Sequence, residues 1–401
     1  MVPKSRAVTA KALQALLTRI GAPSSGTKAV LQERFRREID QSRLFNRHPT
    51  WEKSRPTDQK LRIMSIDMGI KNLAFCEAEI SYPVKDSLDA AMDVLRWEKI
   101  NLVPAKDDAP SPVLDPGDLP QNTADADEDV DPYSLNILSR TAYELVKNTV
   151  LAGAPDIILI EKQRWRSGGG SAVQQWTLRV NTLEGMMWAI LQTIYSERLV
   201  TKNKEAKGAS EKEKLYEVFG VDPKRVGNYW LGEQDIERFA LAEASSPTKP
   251  VPVADTHVEQ DEDATSPKRK TPSRSKAEKK AKISLLRAWL SASPASTAGR
   301  GSINTPTLSF TISPRAQATQ QALCSPRKSP RRKKDHDVDE IGPTELKKLD
   351  DITDCFLQAA AWASWESNRL QLCEVLEGRK GKDLDEGVMT EMIRMMEQYR
   401  L

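Results

Sequence analysis

The chain contains 401 residues, of which 39% are hydrophobic and 29% are charged, and its 60 Lys and Arg residues nearly balance 57 Asp and Glu residues. This length allows two or three domains, while the low hydrophobic fraction and 24 unevenly placed prolines indicate that part of the chain does not pack into a core. Four cysteines without a Cys-x-x-Cys pair argue against a disulfide framework or a cysteine zinc site, and three histidines argue against histidine-based catalysis. No apolar run approaches the about 20 residues of a membrane-spanning helix, so we expect no membrane partner.

The N-terminal segment 1–45 combines two signals. Residues 1–32 contain basic but no acidic side chains, which is typical of a mitochondrial targeting segment. Apolar residues also recur at helical spacing on both sides of the turn 21–26, which predicts a helix-turn-helix hairpin, followed by a linker over 46–60. The pattern resembles the SAP motif, a DNA-binding unit, and makes Lys28 a candidate DNA contact. An ordinary helical hairpin with solvated basic residues is the alternative.

The stretch 61–80 predicts an antiparallel strand pair, because an apolar run ends in Asp67, a turn with Gly69 follows, and a second apolar run returns. Asp67 then lies at the mouth of a strand, where a carboxylate can hold a metal ion without the cost of full burial. A plain turn-forming aspartate is the alternative. The acidic, proline-bearing segment 104–131 cannot bury a core and predicts a disordered insert.

A second acid ends a second strand. Residues 157–160 form a continuous apolar run between predicted helices over 133–150 and 172–198, which is typical of a parallel strand covered on both faces. Glu161 ends this strand as Asp67 ends the first. Because strand ends in an α/β sheet lie side by side, the two carboxylates can converge on one ion.

A basic loop with an aromatic residue follows the second strand. Lys162, Arg164 and Arg166 flank Trp165 ahead of three glycines, a composition that suits a phosphate backbone and an unstacked base. A mobile loop with incidental charge is the alternative. Further along, residues 215–230 predict a short strand and a turn.

The segment from about residue 241 to 340 is dominated by Ser, Pro, Thr, Lys and Arg. It predicts a mostly disordered basic insert with one helix over 276–290, which divides the core into 61–240 and 341–401. Basic clusters within this insert fit nuclear localisation signals, DNA contacts or a solvated tail equally well.

The last strong pattern predicts a helix over 344–376, capped by Thr344, and a short terminal helix over 385–400. Asp350, Asp351 and Asp354 lie on the longer helix, and spacings of four and three place Asp354 on one face with either of the others. Two carboxylates about 4 Å apart repel by about 4 kcal/mol at an effective dielectric constant near 20. The pattern therefore requires a compensating cation, which is either a metal ion or the neighbouring lysines at 347 and 348.

Together these acids indicate hydrolytic metal chemistry. Four carboxylates from two strand ends and one helix can form a two-metal site that hydrolyses a phosphodiester. Hard oxygen ligands favour two Mg²⁺ or Mn²⁺ ions, and the scarcity of histidine agrees with this choice.

Three segments, around Asp67, Glu161 and the aspartate cluster, resemble a known family. It is the family of fungal mitochondrial cruciform-cutting Holliday junction resolvases, which are relatives of bacterial RuvC in the ribonuclease H-like superfamily. The matching residues are Ser65-Ile66-Asp67-Met68-Gly69-Ile70-Lys71-Asn72-Leu73-Ala74, Ile160-Glu161-Lys162-Gln163-Arg164-x-Arg166-Ser167-Gly168 and Lys347-Lys348-x-Asp350-Asp351-x-x-Asp354-x-Phe356-Leu357-x-Ala359.

The resemblance implies an α/β fold in which a ribonuclease H-like mixed sheet is flanked by helices and preceded by the SAP-like hairpin. It implies a homodimer that binds a four-way DNA junction and nicks two opposing strands symmetrically, without a small-molecule cofactor. The expected compartment is the mitochondrion, and the basic clusters make the nucleus the alternative.

The resemblance also assigns roles to residues. Asp67, Glu161, Asp354 and one further aspartate would hold the metal. The family's spacing favours Asp350 and RuvC-like spacing favours Asp351, so we prefer Asp350 and keep Asp351 as a candidate catalytic residue. Candidate DNA contacts beside the site are Lys71, Lys162, Gln163, Arg164 and Arg166.

Two other classes of protein fit part of the sequence. Actin-like ATPases also begin with an Asp-x-Gly hairpin, but they need a second glycine-rich phosphate loop, and the sequence contains none. A protein that binds branched DNA or RNA without cutting it would use the same hairpin and basic loop. The complete set of acids is the feature that argues against this second class.

Overall fold

The fold was obtained as a computed structural model, which describes residues 8–41, 60–81, 90–103, 131–163, 171–204, 215–231, 274–291, 308–325, 349–377 and 386–398. Within these ranges no helix is long and apolar enough to cross a membrane. Most of the acidic insert and several residues named from the sequence lie outside the described residues; these are Arg164, Trp165, Arg166, Thr344, Lys347 and Lys348.

A six-stranded mixed sheet forms the centre of the described fold, with the strand order β5-β4-β1-β2-β3-β6. Strands β1, β2 and β3 are antiparallel neighbours, β4 runs parallel to β1, β5 runs parallel to β4, and β6 runs parallel to β3. The strands are β1 (Leu61–Asp67), β2 (Leu73–Ser81), β3 (Ala90–Ile100), β4 (Ile157–Glu161), β5 (Glu217–Val221) and β6 (Leu308–Ile312). The mixed α/β sheet, the antiparallel pair around Asp67 and the parallel strand before Glu161 are confirmed.

Helices cover both faces of this sheet. Their bounds are α1 (Ala10–Arg19), α2 (Lys28–Ile39), α3 (Leu135–Glu144), α4 (Ser171–Lys204), α5 (Pro223–Trp230), α6 (Arg274–Ser291), α7 (Gln317–Cys324), α8 (Leu349–Glu377) and α9 (Glu386–Gln398). Helix α3 continues as a π-helical turn over Leu145–Val150. Helices α3 and α4 pack on one face of the sheet, and α6 and α8 pack on the other.

The alternation of side chains along the central strands determines which core each residue joins. Ile63 of β1 and Leu159 of β4 lie in the core beneath α8, whereas Ile66 and Ile160 lie in the core beneath α4. Because both faces are covered, β4 is a continuous apolar run rather than an alternating one.

The structure differs from the sequence prediction in two segments. The turn expected after β5 is helix α5, which Asp222 caps by accepting a hydrogen bond from the Lys224 N–H. Residues 308–325, expected to be disordered, form β6 and α7, and β6 pairs with the edge of β3. Strand β6 is only five residues long, and the Ser- and Pro-rich composition of the surrounding segment indicated disorder instead. The helix expected at 276–290 is confirmed as α6.

The N-terminal helical hairpin forms as expected and packs against the C-terminal half of α8. Asn368 Nδ2 donates to the Arg19 carbonyl at the end of α1 at 2.9 Å, and an Arg369 Nη donates to the Ile39 carbonyl at the end of α2 at 2.8 Å. These bonds satisfy carbonyls that a helix end leaves without an intrahelical partner. The hairpin is thereby tied to the same helix that carries the aspartate cluster.

Candidate active site

The ends of β1 and β4 bring Asp67 and Glu161 together. The two strands are parallel, with Ser65 opposite Leu159 and Ile66 opposite Ile160, and each strand ends at its acid. Side chains two residues apart point to the same face of a strand, so Asp67 and Glu161 project toward the face that α8 covers. Asp67 is only 9% exposed.

Helix α8 adds further carboxylates to this edge of the sheet. Burial raises the pKa of Asp67 well above its ordinary value, and the negative charges of Glu161, Asp354 and Asp351 raise it further. Burial also raises the pKa of Asp354. One carboxylate oxygen of Asp351, Oδ2, is fully buried. The sheet edge and the helix therefore concentrate negative charge in a place where water is largely excluded.

The helical geometry separates Asp350 from Asp351. Gln358 of α8 contacts β1, and at about 100° per residue Asp351 lies about 20° around the helix from Gln358, while Asp350 lies about 80° away. Asp350 Oδ2 instead accepts a hydrogen bond from Lys279 Nζ of α6 at 2.5 Å. Asp351 thus lies closest to the sheet-facing side of α8 and Asp350 faces α6, while Asp354, about 40° around the helix from Gln358, lies between these two directions and contacts α6 through Lys282.

Two lysines of α6 supply the positive charge at this site. Lys282 Nζ lies 3.0 Å from Asp354 Oδ1, and its side chain is largely buried. Burial lowers the pKa of Lys282, but the carboxylates of Asp354, Glu278 and Glu161 together more than offset this, and the net effect raises it. In the described part of the chain, no three His, Cys, Asp or Glu side chains are close enough to form a ready-made metal site. Two of the acids, Asp350 and Asp354, each contact a lysine of α6 in this arrangement.

The role of α6 was not predicted from the sequence. The helix over 276–290 was expected, but as part of a basic insert, so Lys279 and Lys282 were not among the candidate residues. The available signal was a pair of lysines three residues apart on a helix, which places them on one face. Nothing in the local sequence indicates that this face contacts the aspartates.

The candidate DNA contacts fall into two places. Lys71 and Lys162 are exposed and follow Asp67 and Glu161 closely in sequence, and the Gln163 N–H donates to Glu184 Oε2 of α4 at 3.3 Å. Lys71 Nζ also lies 6.0 Å from the centre of the Trp176 ring. Lys28 is on the N-terminal hairpin, where its ammonium lies 3.7 Å from Glu386 of α9. Arg164 and Arg166 lie outside the described residues.

The topology and the acids together define a class of protein. An antiparallel β1-β2-β3 unit extended by parallel strands, with acids at two strand ends and on a helix crossing that edge, is the arrangement of a ribonuclease H-like fold. Residues 63–372 match the family model described as "Mitochondrial resolvase Ydc2 / RNA splicing MRS1", and the chain belongs to this family. This match confirms the resemblance seen in the three sequence segments.

Individual relatives share low sequence identity with this chain. The chain is 28% identical over 172 residues to "Cruciform cutting endonuclease 1, mitochondrial" of Schizosaccharomyces pombe, which is 42% of this chain and 52% of the relative. The chain therefore spans about half the length of the curated relative it matches. Among solved structures, the yeast mitochondrial resolvase Ydc2 matches with a TM-score of 0.45 and 17% identity, covering 92% of this chain and 99% of Ydc2.

RuvC of Thermus thermophilus matches with a TM-score of 0.21 and 11% identity, covering 48% of this chain and 85% of RuvC. The assignment to the family rests on the match of its sequence model, which spans both strand-end acids and the aspartates of α8.

Proposed function

We propose that the protein is a structure-selective endonuclease that resolves four-way DNA junctions by metal-dependent, symmetric nicking of opposing strands. One observation carries this proposal. The carboxylates of Glu161, Asp351 and Asp354 lie close enough to Asp67 at one edge of the sheet to raise its pKa, in a chain that belongs to the resolvase family. A protein that only bound nucleic acid would have no use for this concentration of buried acid, which makes the fold less stable.

The acids fit a divalent metal by their chemistry. Carboxylate oxygens are the ligands that Mg²⁺ and Mn²⁺ prefer. The pKa of Asp67 is raised first by burial and then by the neighbouring carboxylates, whose charge a cation would neutralise. We propose two ions held by Asp67, Glu161, Asp354 and Asp351. The family's spacing favours Asp350, but the position of Asp351 on α8, about 20° around the helix from the sheet-contacting Gln358, supports Asp351 instead. When bound, such ions activate the attacking water and stabilise the leaving oxygen of a phosphodiester.

The other side chains position the substrate and the acids. Lys71, Lys162 and Gln163 adjoin the two strand ends and are proposed to bind the phosphate backbone on either side of the cleaved bond, together with Arg164 and Arg166. Lys282 keeps Asp354 in place at the site through its 3.0 Å contact. On the N-terminal hairpin, Lys28 is proposed to contact a DNA arm farther from the cleaved bond.

Two symmetric nicks require two active sites, so we propose a homodimer. Five of the six large hydrophobic side chains exposed among the described residues lie on α3 and α4, on the face of the sheet opposite α8. A groove between these helices is lined by Lys147 and Arg198 as well as Glu197, so the surface can complement a second copy of itself. The five exposed residues are Leu135, Tyr143, Leu178, Leu199 and Val200.

The proposed compartment is the mitochondrion. The curated relative is named as a mitochondrial protein, and the first 32 residues of this chain contain no acidic side chain. The comparisons add nothing in favour of the nucleus.

The proposal is tested by incubating the purified protein with a synthetic four-way DNA junction and with a linear duplex of matched sequence. We expect paired nicks at symmetric positions in the junction alone, with Mg²⁺ or Mn²⁺ present and none after EDTA treatment. Glu161→Gln should bind the junction without cutting it. Tight binding of branched DNA or RNA by the wild-type protein without cleavage would instead favour a binding protein, a reading that fits the RNA splicing name in the family description.

A further inference from the structure

Gln358 of α8 is a buried polar residue between the helix and the sheet. It is 2% exposed, and its Nε2 donates to Ser65 Oγ of β1 at 3.0 Å. The same nitrogen lies 3.4 Å from the Ile66 carbonyl oxygen and 3.5 Å from the Leu159 carbonyl oxygen of β4. One amide group therefore touches three elements: α8, β1 and β4.

The three contacts lie directly behind the acids. Ser65 and Leu159 are opposite each other in the parallel pair, and each is two residues before the acid that ends its strand. On α8, Gln358 follows Asp354 by four residues, which is about one helical turn. Gln358 therefore contacts the residue two positions before Asp67 and the residue two positions before Glu161, and it lies one helical turn from Asp354.

Packing alone does not explain an amide at this position. The core beneath α8 is apolar, with Phe356, Leu357 and several alanines as its neighbours on the helix. A buried amide is unfavourable unless it is hydrogen-bonded, so an apolar side chain of similar size would fill the same volume without that requirement. The bonds it makes must therefore serve the arrangement of the elements it joins.

We infer that Gln358 is a positioning residue for the acidic site. It fixes the separation and register of α8 relative to the ends of β1 and β4, and so holds Asp67, Glu161 and the α8 aspartates within reach of the same cations. The charges of these acids repel one another and drive α8 away from the strand ends, and the Gln358 bonds oppose this displacement. The inference rests on the proposed metal site.

Helix α8 also provides a matched control. Asn368 lies ten residues farther along the helix, is 1% exposed, and donates from Nδ2 to the Arg19 carbonyl and to the Tyr229 hydroxyl, both at 2.9 Å. It is a buried amide with similar bonds, but it joins α8 to the N-terminal hairpin and α5 rather than to the acid-bearing strands.

The test compares full-length Gln358→Met and Asn368→Leu with the wild-type protein. Mn²⁺ binding is measured by calorimetry without DNA, and thermal melting is measured without metal. Both variants should melt at a lower temperature, because each loses buried hydrogen bonds. Only Gln358→Met should bind Mn²⁺ more weakly, by about tenfold, which corresponds to about 1.4 kcal/mol.

Ser65→Ala is a milder variant that removes only the hydroxyl acceptor. It should weaken Mn²⁺ binding in the same direction, and combining it with Gln358→Met should add little, because both changes remove the same bond. If Gln358→Met does not fold, Ser65→Ala alone tests the inference. Wild-type Mn²⁺ affinity in both variants would overturn the role of Gln358, whereas failure of the wild-type protein to bind Mn²⁺ would overturn the metal site itself and this inference with it.

Discussion

Lys282 Nζ lies 3.0 Å from Asp354 Oδ1, so an amino group from α6 provides the positive charge at an acidic edge of the sheet. The family's spacing and the RuvC-like spacing differ on Asp350 and Asp351, but both make Asp354 of α8 an expected metal ligand. In the metal-free protein, Lys282 offsets part of the repulsion among the carboxylates around the buried Asp67. It also makes the behaviour of the site without metal testable.

The stability of the metal-free protein should fall as the pH rises. The folded-state pKa of Asp67 is raised above its ordinary value, so between the two values the folded protein keeps a proton that the unfolded chain has lost. The contribution of Asp67 to stability is therefore largest near or below about pH 4 to 5. This contribution is lost as the pH rises through the folded-state pKa of Asp67. Melting temperatures in EDTA, measured between pH 5 and pH 8, provide the test.

Asp67→Asn is the control for that dependence, and it should separate stability from activity. The substitution keeps the shape and removes the charge, so the metal-free variant should melt a few degrees higher than the wild-type protein at pH 7.5, because about 1 kcal/mol moves the melting temperature by about 2–4 °C in a domain of this size. Its fall in stability toward pH 8 should be shallower, and junction cleavage should be lost. Equal slopes for the two proteins would mean that Asp67 does not dominate the dependence.

Lys282→Met should destabilise the metal-free protein by about 3–5 kcal/mol, since it leaves the Asp354 carboxylate buried without its cation. Saturating Mg²⁺ should restore more stability to this variant than to the wild-type protein. Lys279→Met is the matched control on the same helix. Its side chain is 53% exposed, so its loss should cost no more than about 1 kcal/mol. Denaturant melts with and without Mg²⁺ measure both effects.

The two neighbouring aspartates of α8 should differ in their effect on catalysis. Asp351→Asn should abolish cleavage, reducing the rate by at least about a thousandfold, or about 4 kcal/mol in the activation barrier, because it removes a proposed ligand. Asp350→Asn should retain most activity, since Asp350 lies about 80° around α8 from the sheet-contacting Gln358, on the side of the helix that faces α6. Single-turnover cleavage of a labelled junction separates the two, and the reverse order of effects would restore Asp350 as the ligand.

Gly21→Ala should loosen the N-terminal hairpin from α8. Gly21 has a φ of 67°, and a Cβ there would lie 2.1 Å from Trp365 Cδ2, so the substitution combines backbone strain with a clash against a rigid ring. We expect a loss of at least about 2 kcal/mol of stability. Gly185→Ala in α4, with no atom within 4 Å of the new Cβ, should instead add about 0.5–1 kcal/mol. Both are measured by denaturant melts.

Leu178→Glu should weaken the proposed homodimer. Leu178 is exposed on α4, and a buried charge at a self-complementary interface is repelled by its own copy across the two-fold axis. Light scattering after size-exclusion chromatography should show a shift toward monomer. Val30→Glu changes an exposed apolar residue of α2 outside this surface and should leave the mass unchanged. A monomeric wild-type protein would remove the basis for the dimer.

Local patterns were sufficient for much of the fold and for most of the site. Strand β4 and helix α8 are long or continuous apolar patterns, and Asp67 and Glu161 are visible because each ends such a run. Strand β6 was missed although Leu308-Ser309-Phe310-Thr311-Ile312 alternates apolar and polar residues, because the Ser- and Pro-rich sequence around it indicated disorder and its partner β3 lies more than 200 residues away. Short strands depend on their partners for hydrogen bonds, and the partner is not encoded nearby.

The sequence by itself determined most of the element types, the order of the acids along the chain and the preference for hard metal ions, because these depend on periodicity and on the chemistry of individual side chains. Tertiary structure alone decided which aspartate of α8 faces the sheet, that lysines of α6 supply the positive charge, and that Gln358 joins the helix to both strands. These relationships connect residues 71 to 293 positions apart. They arise from packing geometry, and a local pattern contains no information on the distance between elements that meet only when the chain is folded.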